Sequence, residues 1–184
     1  MTHLIAGNDP ENQVREINVD EHGNMITIDY MHDKVHKGEI LFASHTFLNV
    51  PNDGVVYLRH LSGDTKYLHS QLELSTTGEW SFTSYAGATY SANGTLITQI
   101  NRKSDSEYIP EVLFYHTPTI IDPGTARLVF NFGSGNNPSQ ATTGQFSERL
   151  ESVFAPDIEV LVALKNLSGA VQNISAIFNY YEEE

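Results

Sequence analysis

The chain has 184 residues and no cysteine, so disulfides, thiolate metal sites and a cysteine nucleophile are excluded. Ten basic against 23 acidic residues give a formal charge of -13, which opposes contact with phosphate backbones and removes nucleic acid from the expected partners. A chain of this length can bury roughly 70% of its unfolded surface in one core, and it has no run of about 18 apolar residues that would span a membrane.

The N-terminal stretch, Met1 to Pro10, lacks the basic and apolar regions of a secretory signal, so export by that route is not expected. Residues 8–13 are polar and turn-like, and residues 14–20 carry only a thin apolar stripe of Val14, Ile17 and Val19. This composition predicts an extended arm. Ile26 and Ile28 alternate with polar residues in a run that could form a first short strand, and the division expected is an arm over 1–30 followed by a β-sandwich domain over 31–184.

His32 and His36 stand four apart, with Asp33 between them and His45 further on. On a helix the two imidazoles would share a face; on a strand they would lie about 13 Å apart. The simpler expectation is a polar lead-in to the first strand, with no metal and no cofactor. A helical period is conceivable only around this segment.

From residue 39 onward, strand-sized runs recur between turn residues: 39–48, 55–61, 67–74, 79–85, 95–100, 108–116, 125–132 and 145–154. The last thirty residues then alternate with period two. Ile158, Val160, Val162 and Leu164 fall on one face, and Ile174, Ala176, Phe178 and Tyr180 on one face of the next run. With Gly169 between them these runs predict a closing β-hairpin that sews the C-terminal segment into a sheet. Thr76-Thr77-Gly78-Glu79 and the Asn93-Gly94 turn are likewise expected to close hairpins. The fold class predicted is an all-β antiparallel sandwich, jelly-roll-like, with an N-terminal extended arm. It reads as a structural module rather than part of an enzyme.

Two connections stand out. Residues 133–144 are small and polar, and Ser134, Asn136 and Asn137 are expected on an exposed loop. Residues 117–124 hold two prolines and predict an ordered crossover between sheets.

Chemistry-bearing residues are sparse. Glu107 with Glu111, and Glu148 with Glu151, supply carboxylate pairs of the kind that a glycosidase uses at a separation of about 5 to 9.5 Å, but they read as solvated strand faces. Trp80, Phe82 and Tyr85 could stack on a sugar, yet period two puts Trp80 and Phe82 together on a face suited to core packing. The sequons at Asn93, Asn166 and Asn173 are of a kind common by chance, and two of them lie in or beside expected strands, which argues against their use. No nucleophile elbow, phosphate-cradling loop or His-Glu-x-x-His motif is present. No catalytic residue is assigned.

The order of Val19-Asp20, Ile26-Thr27-Ile28-Asp29-Tyr30, His32-x-x-x-His36-x-Gly38 and Phe42, the Gly- and Thr-bearing turns, His116-Thr117-Pro118-Thr119, Asn166-Leu167-Ser168-Gly169 and Tyr180-Tyr181-Glu182 resembles a family of head decoration, or auxiliary capsid, proteins of tailed bacteriophages. The resemblance runs from about Val14 to Glu182. It departs from the family at Met31-His32-Asp33, where two adjacent histidines are usual, which weighs against a metal role. It implies a non-catalytic β module on the exterior of the virion capsid, present in the host cytoplasm during assembly, whose partner is the major capsid protein. Members often act as homotrimers. The residues expected to reach the shell are those of the arm: Val14, Ile17, Val19, Ile26 and Ile28. The competing expectations are a host-recognition module, either a tail-fibre tip or a carbohydrate-binding domain, and a glycan-cleaving enzyme.

Overall fold

The computed structural model describes residues 30–133 and 152–184, together with the backbone of β1 (Gly7–Asn8) and β2 (Val14–Arg15), which pair antiparallel. Ile17, Val19, Ile26 and Ile28 of the expected arm, and Ser134, Asn136 and Asn137 of the expected loop, lie outside the described residues.

The chain enters through a helix, α1 (Tyr30–Lys37). Lys34 and Lys37 sit in its last turn, where positive charge complements the helix dipole. Gly38 ends it with φ 74°, a conformation that costs other residues free energy. The amide of Gly38 donates to Val35 and that of Glu39 to Lys34, the paired bonds of a Schellman cap. The lead-in expected for this segment is therefore a helix, because the cap satisfies carbonyls that a strand would have left open.

Thirteen strands follow among the described residues: β3 (Leu41–Val50), β4 (Val55–Leu61), β5 (Tyr67–Thr76), β6 (Trp80–Ala86), β7 (Thr89–Ala92), β8 (Thr95–Leu96), β9 (Gln99–Asn101), β10 (Leu113–His116), β11 (Thr119–Asp122), β12 (Thr125–Phe132), β13 (Ser152–Phe154), β14 (Glu159–Asn166) and β15 (Gln172–Glu183). One sheet has the order β12-β6-β14-β4-β10-β8 and the other β13-β5-β15-β3-β9. All pairings are antiparallel, and eight strands are nested: β3 with β15, β4 with β14, β5 with β13 and β6 with β12. Successive strands of this set alternate between the sheets, except that β6 and β12 share one and are joined through β7 to β11. Two antiparallel sheets packed face to face in this way make an all-β sandwich, as the strand pattern predicts.

The alternation corrects the expected hairpins. β5 and β6, and β14 and β15, fall in different sheets, so their glycine-containing turns are arches over the core, while the Asn93-Gly94 turn leads from the β7–β11 ribbon into the edge of one sheet at β8. The reason is physical: an arch and a hairpin need the same turn chemistry and leave the same residues facing inward, but an arch lets each strand gain two lateral partners. β15 gains β3 and β5, and β14 gains β4 and β6.

Three other boundaries moved. The run 95–100 breaks at buried Ile97, whose amide donates to Phe114, and the chain there switches from one sheet to the other as β8 and β9. The run 108–116 is strand only from Leu113, because the amides of Glu111 and Val112 bond to the Glu182 carboxylate instead of a ladder. Residues 117–124 do not cross between sheets: they link β10 and β12 of the same sheet through β11, which pairs with β7 in a separate two-stranded ribbon.

The core lies between the sheets. Leu58, Trp80, Phe114, Val162 and Leu164 from one meet Leu68, Ile174, Phe178 and Tyr180 from the other, with Phe114 to Phe178 ring centroids 4.6 Å apart. Each fully buried large apolar side chain contributes about 1.5 to 3 kcal/mol. β14 is buried on both faces, since Leu161 and Ala163 are as inaccessible as Val162 and Leu164. Ile158, expected on the inward face, precedes the strand and is exposed.

Candidate functional site

β12 ends one sheet, pairing with β6 alone among the described residues, and β13 ends the other, pairing with β5. Between these two edges the sandwich opens into a cavity of about 510 Å³, lined in part by Leu72, Phe82, Phe130, Phe154, Val162 and Phe178. Leu128 and Ile158 line it and yet are exposed, Leu128 to 51%, and the edge strands also expose Val129, to 62%, and Val153. Successive residues of a strand point to opposite faces, so the neighbours Leu128 and Val129 show apolar groups on both sides of one edge. Natural edges are usually protected by charge, proline or short length; β12 runs eight residues with Arg127 as its only charged side chain.

His60 lines the inner end of this cavity. Its ring packs edge-on against Phe154 at 4.6 Å and approaches Phe178, and its Nε2 has no hydrogen-bond partner. Burial lowers its pKa to about 4, so the ring is neutral at pH 7.

Next to it in sequence, Arg59 points the other way. Its guanidinium is buried under the β7–β11 ribbon: Nε donates to Glu159 and one terminal nitrogen to Asn93, each at 2.7 Å, and Tyr90 and Tyr115 lie over it. Burial, reinforced by the neighbouring Glu159 carboxylate, raises the Tyr90 phenol above its ordinary value. The Tyr90 hydroxyl nevertheless makes no hydrogen bond of good geometry. Strand periodicity overlooked this clamp, although an arginine inside an otherwise apolar strand such as Val55–Leu61 signals a buried partner.

The remaining sequence candidates separate. His32 and His36 come together on α1, with their Nε2 atoms 2.9 Å apart. His45 is not with them; it stacks on His116 instead. Among the described residues no three His, Asp or Glu side chains converge as a metal site, and no helix is long and apolar enough to cross a membrane. Glu111 accepts from the backbone and hydroxyl of Thr65, which hold its carboxyl below the usual range. Glu148 and Glu151 lie outside the described residues. Trp80 is fully buried and Phe82 nearly so, as core packing required. Asn166 is inaccessible, its amide nitrogen donating to the carbonyls of Val50, Pro51 and Ala170, and Asn93 is engaged by Arg59.

Glu182 was hidden by its place in an acidic run. It is buried, and its carboxylate accepts from the amides of Glu111 and Val112 and from the hydroxyl of Tyr108. Burial, and then that carboxylate, raise the phenols of Tyr108 and Tyr180. These contacts fasten a loop rather than build a reactive centre.

Compared with protein-family models, with curated proteins and with solved structures, the chain finds no match in any of the three. A functional reading therefore rests on the fold and on the surface just described.

Proposed function

We propose that the chain is a capsid decoration protein that binds the outer surface of an assembled phage head and stabilises it, acting as a homotrimer. The observation that carries this reading is the apolar edge of β12. An eight-residue strand that, among the described residues, has one open main-chain side and exposed Leu128 and Val129 is suited to main-chain pairing or apolar docking onto a second protein. A protein that reinforces a shell needs area and symmetry rather than reactivity, and a closed cyclic oligomer multiplies weak contacts into avidity. The strong negative charge limits association with packaged DNA. The alternative, a host-recognition module, is less favoured because Trp80 and Phe82 of the expected stacking platform are core residues.

The test is co-sedimentation of the purified protein with DNA-filled heads, followed by localisation of its density. The expected result is saturable binding at three-fold positions, abolished by removing residues 1–24 and weakened by Leu128→Lys with Val129→Lys. If full-length protein neither co-sediments nor assembles beyond a monomer, the proposal fails. If the truncated protein saturates heads with unchanged affinity, the arm is not the contact and the β12 edge must carry it.

A further inference from the structure

His32 and His36 differ from the other histidines of the described residues in converging through the same ring atom. On α1 they stand one turn apart, their rings at 76° and their Nε2 atoms separated by 2.9 Å. The parallel row beside them is already used, since Lys37 and Asp33 bridge at 2.7 Å, so Asp33 is held away from the pair. Both imidazoles face the solvent side of a capped helix.

We propose that His32 and His36 form a two-imidazole chelate for a first-row divalent transition-metal ion, with Cu²⁺ or Ni²⁺ as the preferred class. A metal about 2.05 Å from each nitrogen would see two nitrogens 2.9 Å apart at an angle of about 90°. That is the cis angle of a square-planar or octahedral centre. A tetrahedral Zn²⁺ with the same bonds would need the nitrogens about 3.3 Å apart. Among the described residues no third ligating side chain joins these two, which leaves coordination positions for water.

In the metal-free pair one Nε2 donates its hydrogen to the other. Chelation needs both Nε2 lone pairs, so the donating ring takes its proton on Nδ1 instead, through solvent, and neutral rings release no net proton. This reverses the expectation drawn from the sequence, which treated the segment as a lead-in to a strand. The helix removes the objection, because it replaces a spacing of about 13 Å along a strand by direct contact.

The experiment is calorimetric titration of the full-length protein carrying His3→Ala, which removes the competing amino-terminal Met1-Thr2-His3 copper ligand set, with CuCl₂ in a non-coordinating buffer, with electron paramagnetic resonance of the loaded protein. Expected are one Cu²⁺ per chain with superhyperfine structure from two nitrogens, weaker binding of Zn²⁺, and slowed amide exchange in the last turn of α1. Loss of a hydrogen-bond partner behind a metal-binding histidine alone costs about 10- to 100-fold in metal affinity, so His32→Ala and His36→Ala should each lose at least that much. Circular dichroism and melting should show both variants folded. His45→Gln with His116→Gln should bind as the parent does. Unchanged affinity in the His32→Ala/His36→Ala variant, or a one-nitrogen spectrum in the parent, overturns the assignment.

Discussion

His45 and His116 stack face to face across the gap between the two sheets, their ring centroids 3.7 Å apart and their planes within 9°. His45 comes from β3 and His116 from β10, and Phe47 meets His45 edge-on. Burial lowers the pKa of both, and for His45 the neighbouring His116 adds to the effect. His60 is shifted in the same direction, to about 4.

The sign of the resulting pH dependence follows. A histidine whose pKa is lowered by folding binds its proton first in the unfolded chain, so stability is intact above about pH 6.5 and falls below it. For His60 the loss continues down to about pH 4. Between pH 7 and pH 5 this single group should cost about 2 kcal/mol. Urea midpoints across that range should fall in the parent and fall less in His60→Leu; identical slopes would show that His60 is not the titrating group.

Val162→Asp should be severe. Val162 is buried on the central strand β14, and an unpaired carboxylate there costs several kcal/mol, a large share of a typical 5 to 15. Leu128→Asp, at the exposed edge, should leave the melting temperature nearly unchanged. Cooperative unfolding of Val162→Asp at the parental temperature would remove this strand from the core.

Asn166→Ala should lower stability by about 2 to 4 kcal/mol in chemical denaturation. It takes the amide donor from Val50 and Ala170 and the acceptor from the Ser168 amide, which ties the arch after β3 to the arch after β14. Exposed Asn173→Ala serves as the comparison and should cost less than 1 kcal/mol.

Glu182→Ala should free residues 108–112. The amides of Glu111 and Val112 would lose their acceptor, and a cost of about 1 to 3 kcal/mol is expected. Glu182→Gln keeps one carbonyl oxygen and should cost less. Hydrogen exchange at the Val112 amide is the direct readout: rates equal to the parent's in Glu182→Ala would show the carboxylate to be dispensable.

A substitution at a turn separates backbone from side-chain effects. Gly124 has φ 79°, and an added Cβ would come 2.4 Å from the Ala86 carbonyl oxygen. Gly124→Ala should therefore destabilise by more than the usual 1 kcal/mol for this exchange, measured as a drop in melting temperature of the β6–β12 edge and of the whole fold together.

Much of the layering was legible because strand periodicity is a property of burial. Val55–Leu61 and Thr125–Phe132 were bounded correctly, and Val160, Val162 and Leu164 do face the core with Ile174, Ala176, Phe178 and Tyr180. Lateral partners were not legible, since Gly78 and Gly169 serve an arch as well as a hairpin. Side chains that replace ladder bonds were also invisible: Glu182 took the amides of Glu111 and Val112, and Arg59 drew the β7–β11 ribbon onto the outer face. For the histidines, spacing alone left helix and strand open, and the Gly38 cap decided between them.

The nested strand order also governs when this fold can appear. β15, made last of these strands, is the middle strand of its sheet, and both β3 and β5 depend on it for a neighbour. The two halves of that sheet, β13 with β5 and β3 with β9, cannot join until β15 comes between them. Pairings this distant in sequence carry a large loop-closure cost before any contact is gained, which places such folds among slow-folding topologies. Until closure, the apolar strands stay open to other chains, and the concentration of newly made protein, more than its final stability, sets the yield of native material.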